Sequence, residues 1–288
     1  MNPLAYLHVD VFAPRAYSGN SLPVFIGSDD LNAQQMLAIT RELRHFEAVF
    51  LAPANGLDRY RARVFDLFEE LPFAGHPIIG AAAALHHNSR RSGDAQWTFE
   101  LPARTVTVST TRTSAGFSAR LDQGEAIFLG EHGEREEIAL AFGLTADDLN
   151  SALPIAVVST GLRYLIVPVK TDVLERARIK SDITDLVTRA GAEFAVLLDE
   201  GALEVRHWNN DGIIEDVATG SAAGTIGAYR LRYCGAPSGD AFLLHQGRFV
   251  GRPSRIEVEA HGWPEAVHSV RVGGNVAIVG RGLLEARP

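Results

Sequence analysis

Cysteine is almost absent from this chain, with Cys234 the single example in 288 residues. One thiol closes no intrachain disulfide and builds no thiolate metal site. It lies in Leu231-Arg232-Tyr233-Cys234-Gly235, near the expected end of a helix, where a free cysteine packs as a small hydrophobe. Long apolar runs are missing too, and none reaches the roughly 18 residues a membrane-spanning helix needs. Met1 to Val11 has neither a basic n-region nor a long apolar h-region. No signal peptide is therefore expected, and the cytoplasm is the expected compartment. Lys/Arg blocks are lacking as well: the net charge is −8, with acids and bases interspersed, which disfavours nucleic acid as a partner. No HExxH, CxxC or GxxxxGK[ST] occurs, and Thr219-Gly220-Ser221-Ala222-Ala223 departs from a G-x-S-x-G elbow at its last position. His86 and His87 are adjacent on a helix, point to different faces, and read as a solvated helix end. Neither a metal nor an organic cofactor is expected.

The residues present describe a soluble globular protein. Hydrophobic residues make up 46% and charged residues 22%, and the length suffices for two domains with real cores. Short β-like runs dominate, at Leu4 to Phe12, Tyr60 to Phe65, Gln96 to Leu101 and Thr105 to Ser109. More follow at Ile155 to Val158, Tyr164 to Val169, Phe194 to Leu198, Leu203 to Trp208, Arg255 to Glu259, Ser269 to Val272 and Val276 to Val279. Helices are expected over Ala33 to Leu43, Pro77 to Leu85, Glu134 to Phe142, Asp182 to Arg189 and Ser221 to Arg232. Regular βαβ alternation is absent, so the class is α+β with many antiparallel strands.

Two segments resemble each other. Glu70-Leu71-Pro72-Phe73-Ala74-Gly75-His76-Pro77 precedes an Ile/Gly/Ala helix, and Glu215-Asp216-Val217-Ala218-Thr219-Gly220-Ser221 precedes an Ala/Gly/Ile one. Each reads as strand, acid, Gly turn and a helix of small residues. A helix apolar all round must be buried, and small side chains let strands approach its axis. The expectation is two similar domains, each a curved, mostly antiparallel sheet around one central helix. The boundaries are placed at 1–115 and 116–288, with the option that the final strand returns to the first domain.

Chemistry concentrates at these turns. A helix N-terminus exposes unpaired N–H groups and partial positive charge, so Gly75 and Gly220-Ser221 are candidates to bind a carboxylate without Lys or Arg. The competing reading is ordinary capping, with Ser221 as N-cap and Pro77 in the first turn. His76 is either a proton shuttle or a cap, and Asp216 either a site residue or a turn former. Glu47 sits in the apolar run His45-Phe46-Glu47-Ala48-Val49-Phe50-Leu51. Burial there disfavours its charged form, as a general base requires, unless Glu47 and Val49 share a wet face.

These motifs resemble the PhzF-like family, named for the phenazine-biosynthesis isomerase. Four stretches carry the resemblance: Gly19-Asn20, Glu70 to Pro77, Glu215 to Gly224, and Gln246-Gly247 with Gly251-Arg252-Pro253-Ser254. The resemblance implies a diaminopimelate epimerase-like fold, an active site between two domains, a homodimer, and no cofactor or metal. It assigns Glu47 as the catalytic glutamate, with His76 and Asp216 as its partners in catalysis. Asn20 and the backbone donors Gly75, Gly220 and Ser221 are its substrate-binding positions. The chain departs from the family at Phe46 and Ala48, where Ser and Thr flank the glutamate, and at Ser21, where proline is usual. Cysteine-dependent epimerases of this fold use two thiols at the paired turns, and this chain has none there. The expected function is a proton-shift isomerase acting on a small carboxylate-bearing metabolite. The alternative is a non-catalytic carboxylate-binding or scaffold protein of the same fold.

Overall fold

The computed structural model describes residues 3–288. In chain order the first half runs β1 (Leu4–Val11), β2 (Asn20–Ile26), α1 (Ala33–Leu43), β3 (Glu47–Pro53), β4 (Arg59–Asp66) and β5 (Glu70–Leu71). It continues through α2 (Gly75–Ser89), β6 (Ala95–Glu100), β7 (Thr105–Thr113) and β8 (Gly116–Asp122). The second half holds β9 (Ile127–His132), α3 (Arg135–Ala141), β10 (Ile155–Ser159), β11 (Arg163–Val169), α4 (Thr184–Arg189) and β12 (Phe194–Asp199). Then come β13 (Glu204–His207), α5 (Gly220–Tyr233), β14 (Ala241–Gln246), β15 (Ser254–Trp263) and β16 (Ala266–Leu284).

The chain divides into two compact units, Met1–Asp122 with Gly273–Pro288, and Gln123–Val272. In the first unit the strand order is β1-β2-β3-β4-β6-β7-β8-β16, and β1 also pairs with β16, from Leu4 opposite Leu284 to Val11 opposite Val276. This curved sheet wraps α2, which packs against β1, β2, β3, β6, β7 and β8. Twelve residues of α2, from Gly75 through His86, are buried. The small side chains are what let the sheet close: a Cβ on Gly80 would lie 2.6 Å from Leu22 and 2.8 Å from Val11. The outer face of β3 packs differently. Ala48, Phe50, Phe25 and Phe65 meet Met36 and Ile39 of α1, with Phe25 stacked on Phe50 at 4.7 Å.

The second unit contains β9 through β15 and Ala266–Val272 of β16. Its central helix, α5, packs against β10, β11 and β15, and a Cβ on Gly227 would fall 2.6 Å from Val258. A second core on the outer face joins Ile138, Phe142, Leu165, Val167, Val187, Leu197 and Trp208. Pairing is mostly antiparallel, with parallel exceptions at β2/β3, β4/β6, β11/β12 and β13/β14.

Three expectations need correction. His86 is not at a solvated end: it is fully buried, its Nδ1 2.8 Å from the Thr110 hydroxyl and its ring against Phe117. Ser221 is not the N-cap of α5, since Thr219 holds that place. The stretches at 269–272 and 276–279 are one continuous strand, β16.

Candidate active site

Glu47 is the first residue of β3, set there by a short connection from α1. That helix ends at Arg44 in the left-handed conformation (φ 55°), whose N–H bonds back to the Thr40 carbonyl. Strand alternation then separates two faces. Ala48 and Phe50 turn outward to α1, while Glu47 shares its face with Val49, which is fully buried. Glu47 itself is partly buried, its side chain 19% exposed.

His76 is the second residue of α2 and is 7% exposed. Its Nδ1 lies 3.0 Å from Glu47 Oε2. The turn before it has no side-chain cap; Ala74 is extended (φ −149°), and the first turn of α2 includes no acidic residue. Nearby, Pro72 accepts a hydrogen bond from Ala103 N at 3.1 Å, and the Arg104 guanidinium sits 4.1 Å over the Phe73 ring. Asn20, fully buried, opens β2 opposite Val11. It follows Gly19, whose φ of +66° and lack of a Cβ are both required, since a side chain there would meet Ala13 at 2.8 Å. The first unit therefore gathers Glu47, His76, Gly75 and Asn20 at the strand and helix ends of one sheet-and-helix core.

A polar chain on the outer face of the same sheet was not anticipated. His8 Nε2 is 2.7 Å from the Ser21 hydroxyl, which is 2.8 Å from His45 Nδ1, and the two rings meet edge-on at 5.0 Å. It ties β1 and β2 to the connection that delivers Glu47.

Glu70 and Glu215, the acids opening the two repeated motifs, play matching structural parts. Glu70 makes a two-pronged pair with Arg63 at 2.8 and 2.5 Å, and Glu215 does so with buried Arg206 at 2.8 and 2.6 Å. Such bidentate pairs brace the strand end before each turn.

In the second unit, Asp216 is held on both oxygens. Oδ2 accepts from the Thr219 hydroxyl at 2.6 Å and Oδ1 from Ala218 N at 3.3 Å. Gln246 completes the turn: its Oε1 accepts from Thr219 N at 2.9 Å, and its Nε2 donates to the Asp216 carbonyl at 3.0 Å and the Thr219 hydroxyl at 2.9 Å. The adjoining Gly247 has φ +82°, and a Cβ there would lie 2.5 Å from the Val217 carbonyl. The Thr219 hydroxyl is thus directed to Asp216 and does not cap the helix. Gly220 and Ser221 follow as the first two residues of α5. The Ser221 hydroxyl is 2.8 Å from Tyr164 OH, and Gln123 Nε2 donates to the Gly220 carbonyl at 2.9 Å. His207, fully buried behind Asp216, has its pKa lowered by burial, partly offset by the negative charge of Asp216. Thr219, Gln246, Gln123 and Tyr164 were not singled out from the sequence as site residues, although Gln246-Gly247 belongs to the motif.

Among the described residues no group of three His, Cys, Asp or Glu converges as a metal site would. Cys234 caps the C-terminus of α5, half-buried, and burial pushes its thiol up to about 11.

Solved structures give the class. A predicted epimerase from Pseudomonas aeruginosa aligns with a TM-score of 0.92 and 45% identity over 98% of this chain and 99% of that one. A hydroxyproline epimerase from Agrobacterium vitis, solved with trans-4-hydroxy-L-proline, aligns at 0.66 over 98% and 92%; its 14% identity speaks for the fold alone. The fold is therefore that of the epimerase-like isomerases. Within that class, the model of the phenazine biosynthesis-like protein (PhzC-PhzF) family matches residues 9–282, and the chain belongs to this family of isomerases. The trans-2,3-dihydro-3-hydroxyanthranilate isomerase of Pseudomonas aeruginosa is 31% identical over 289 residues, covering 96% of this chain and 98% of that protein.

Proposed function

We propose that this isomerase moves a proton on a small carboxylate-bearing metabolite by general acid/base catalysis, without metal or organic cofactor. Glu47 beside His76, 3.0 Å from oxygen to nitrogen, is the observation that carries the reading. A carboxylate set among buried residues with a neighbouring imidazole couples a base to a group that donates or accepts near neutral pH. Glu47 takes a proton from a carbon made acidic by an adjacent carbonyl or vinylogous system. It returns that proton to a different carbon, a 1,3 shift, or a partner acid delivers one to the opposite face. No net oxidation occurs: one C–H bond breaks and another forms, and the proton held on Glu47 between the two steps exchanges with solvent before it is returned. His76 steadies the charge that develops. Asp216, oriented by Thr219 and Ala218, receives an amino or hydroxyl group, and the N–H groups at Gly220 and Ser221 receive a carboxylate. The substrate class is small amino or hydroxy acids, of which the cyclic amino acid named for the Pseudomonas relative is one.

The test is a panel of such acids, trans-2,3-dihydro-3-hydroxyanthranilate among them, in deuterium oxide with exchange at carbon followed by NMR. Glu47→Gln should lower exchange and turnover by about 1,000-fold or more while the fold and ligand affinity persist. Exchange at the wild-type rate in Glu47→Gln removes Glu47 as the base. A ligand bound tightly by the wild type with neither exchange at carbon nor an isomerised product would favour the non-catalytic binder instead.

A further inference from the structure

At its C-terminal end, far along the helix from His76, α2 borders a cavity of about 540 Å³ within the first unit. It is lined by His87, Asn88, Arg90, Arg112 and Arg281. Three guanidinium groups and an imidazole thus share one concavity with no carboxylate in its wall, on a chain whose net charge is −8. Among the described residues none of the three arginines pairs with an Asp or Glu, whereas their neighbour Arg91 is held two-pronged by Asp58 at 2.6 and 2.7 Å. Cations at a helix C-terminus complement its dipole, which accounts for Arg90 and His87. It does not account for Arg112 and Arg281, which arrive from β7 and β16. Arg90, Arg112 and Arg281 are exposed around the concavity, so water screens much of their mutual repulsion, and a bound anion would relieve what remains.

We propose that this cavity is a binding site for a compact polyanion of the phosphate type, separate from the Glu47 site. Guanidinium forks match tetrahedral oxyanions in pairs, as a point-charge ammonium does not. The cavity provides no open aromatic face for a nucleobase, because Phe117 is buried beneath Arg112, whose guanidinium lies 4.9 Å above its ring. Inorganic phosphate, pyrophosphate or a small phosphorylated metabolite fits better than a nucleotide. His87 reports on occupancy. Arg281 approaches its Nε2 to 3.5 Å, and its pKa is lowered by burial first, then by Arg281 and Arg112. The adjoining His86 also faces Arg112 and Arg91, with Asp94 the opposing charge. A bound anion reverses the field of the arginines, so binding raises the His87 pKa and takes up protons as pH falls.

The experiment uses the full chain and two probes, pyrophosphate for affinity and sulfate, whose charge is constant from pH 5.5 to 8, for the proton linkage. Calorimetry at fixed ionic strength should show one pyrophosphate per chain. Affinity should fall about tenfold or more in Arg112→Gln and in Arg281→Gln, each removing charged hydrogen bonds. Sulfate should move the His87 ring resonances toward the protonated position in the wild type, a readout that needs no variant. It should leave proton exchange at the Glu47 site intact, which keeps this test distinct from that of the catalytic reading. Equal affinity in wild type and both variants overturns the proposal, as does a His87 resonance that follows chloride as closely as sulfate. Tighter binding of citrate than of pyrophosphate overturns the phosphate assignment.

Discussion

At the residue scale, the surroundings of Glu47 divide between two faces of β3. Ala48 turns outward, fully buried, into the packing against α1. His8, Ser21 and His45 form a polar chain that anchors the connection before Glu47 from that outer side. A hydroxyl has one proton, so with both imidazoles neutral it donates to one ring and accepts from the other. Ser21→Ala should therefore lower stability by about 1 kcal/mol or more, read as a shift in the urea midpoint. A midpoint equal to wild type would mean the chain contributes nothing. Buried histidines also set the acid limb of stability. The pKa values of His207, His86 and His87 all lie below the ordinary 6.5, with burial the largest cause in each. The unfolded chain then binds protons that the folded one does not, so stability rises with pH through this window and falls as pH drops below about 6.5. The urea midpoint should decline from pH 7.5 to 5, and His207→Gln should flatten that slope. An unchanged slope in the variant would assign the acid limb to other groups. None of this was legible from types and spacing, because a histidine's burial depends on which strands close over it.

At the scale of elements, the two small-residue helices were legible because their function is steric. A stretch such as Gly80-Ala81-Ala82-Ala83-Ala84 tolerates contact on every side, and sequence alone says it is wrapped. The strands that wrap it were read unevenly. β7 alternates cleanly, with Val106, Val108 and Thr110 inward, and announces itself. β2 and β3 bury both faces, between α1 and α2, and so lose the alternation that marks a strand. That is why Glu47 was recognised as a carboxylate in an apolar run but not as the start of a strand. The N-terminus of α5 invites a sharper test than mutation of Asp216, whose oxygens have structural bonds of their own. Gly220→Val puts a β-branched side chain at the first helical residue, where the proposed carboxylate approaches. Ser221→Ala removes only a hydroxyl bonded to Tyr164. Calorimetry with a tight carboxylate ligand should show the valine variant weakened at least tenfold, and the alanine variant by less, about 1 kcal/mol. Unchanged affinity in a folded Gly220→Val protein would mean that the turn only starts a helix.

For the whole molecule, the two repeated motifs each carry an acid paired with an arginine, Glu70 with Arg63 and Glu215 with Arg206. What no local pattern reveals is the path of the last strand. β16 supplies Ala266–Val272 to one unit and Gly273–Leu284 to the other, a pairing fixed by partners more than 250 residues earlier in the chain. The C-terminal strands leave no edge open for a partner: β15 pairs with β14 and β16, and β16 with β1, β8 and β15. An edge lies at β9, whose one strand partner among the described residues is β10. Ile127 and Leu129 project from it, 54% and 48% exposed. An uncovered strand edge with apolar side chains is a template for pairing with another chain, and a two-fold copy of itself satisfies it most simply. We therefore expect a homodimer by light scattering at micromolar concentration. Leu129→Lys should convert it to a monomer with unchanged circular dichroism, since a charge on an exposed edge blocks pairing without entering either core. A wild-type monomer at that concentration would discard the dimer, and a Leu129→Lys dimer would place the contact away from β9.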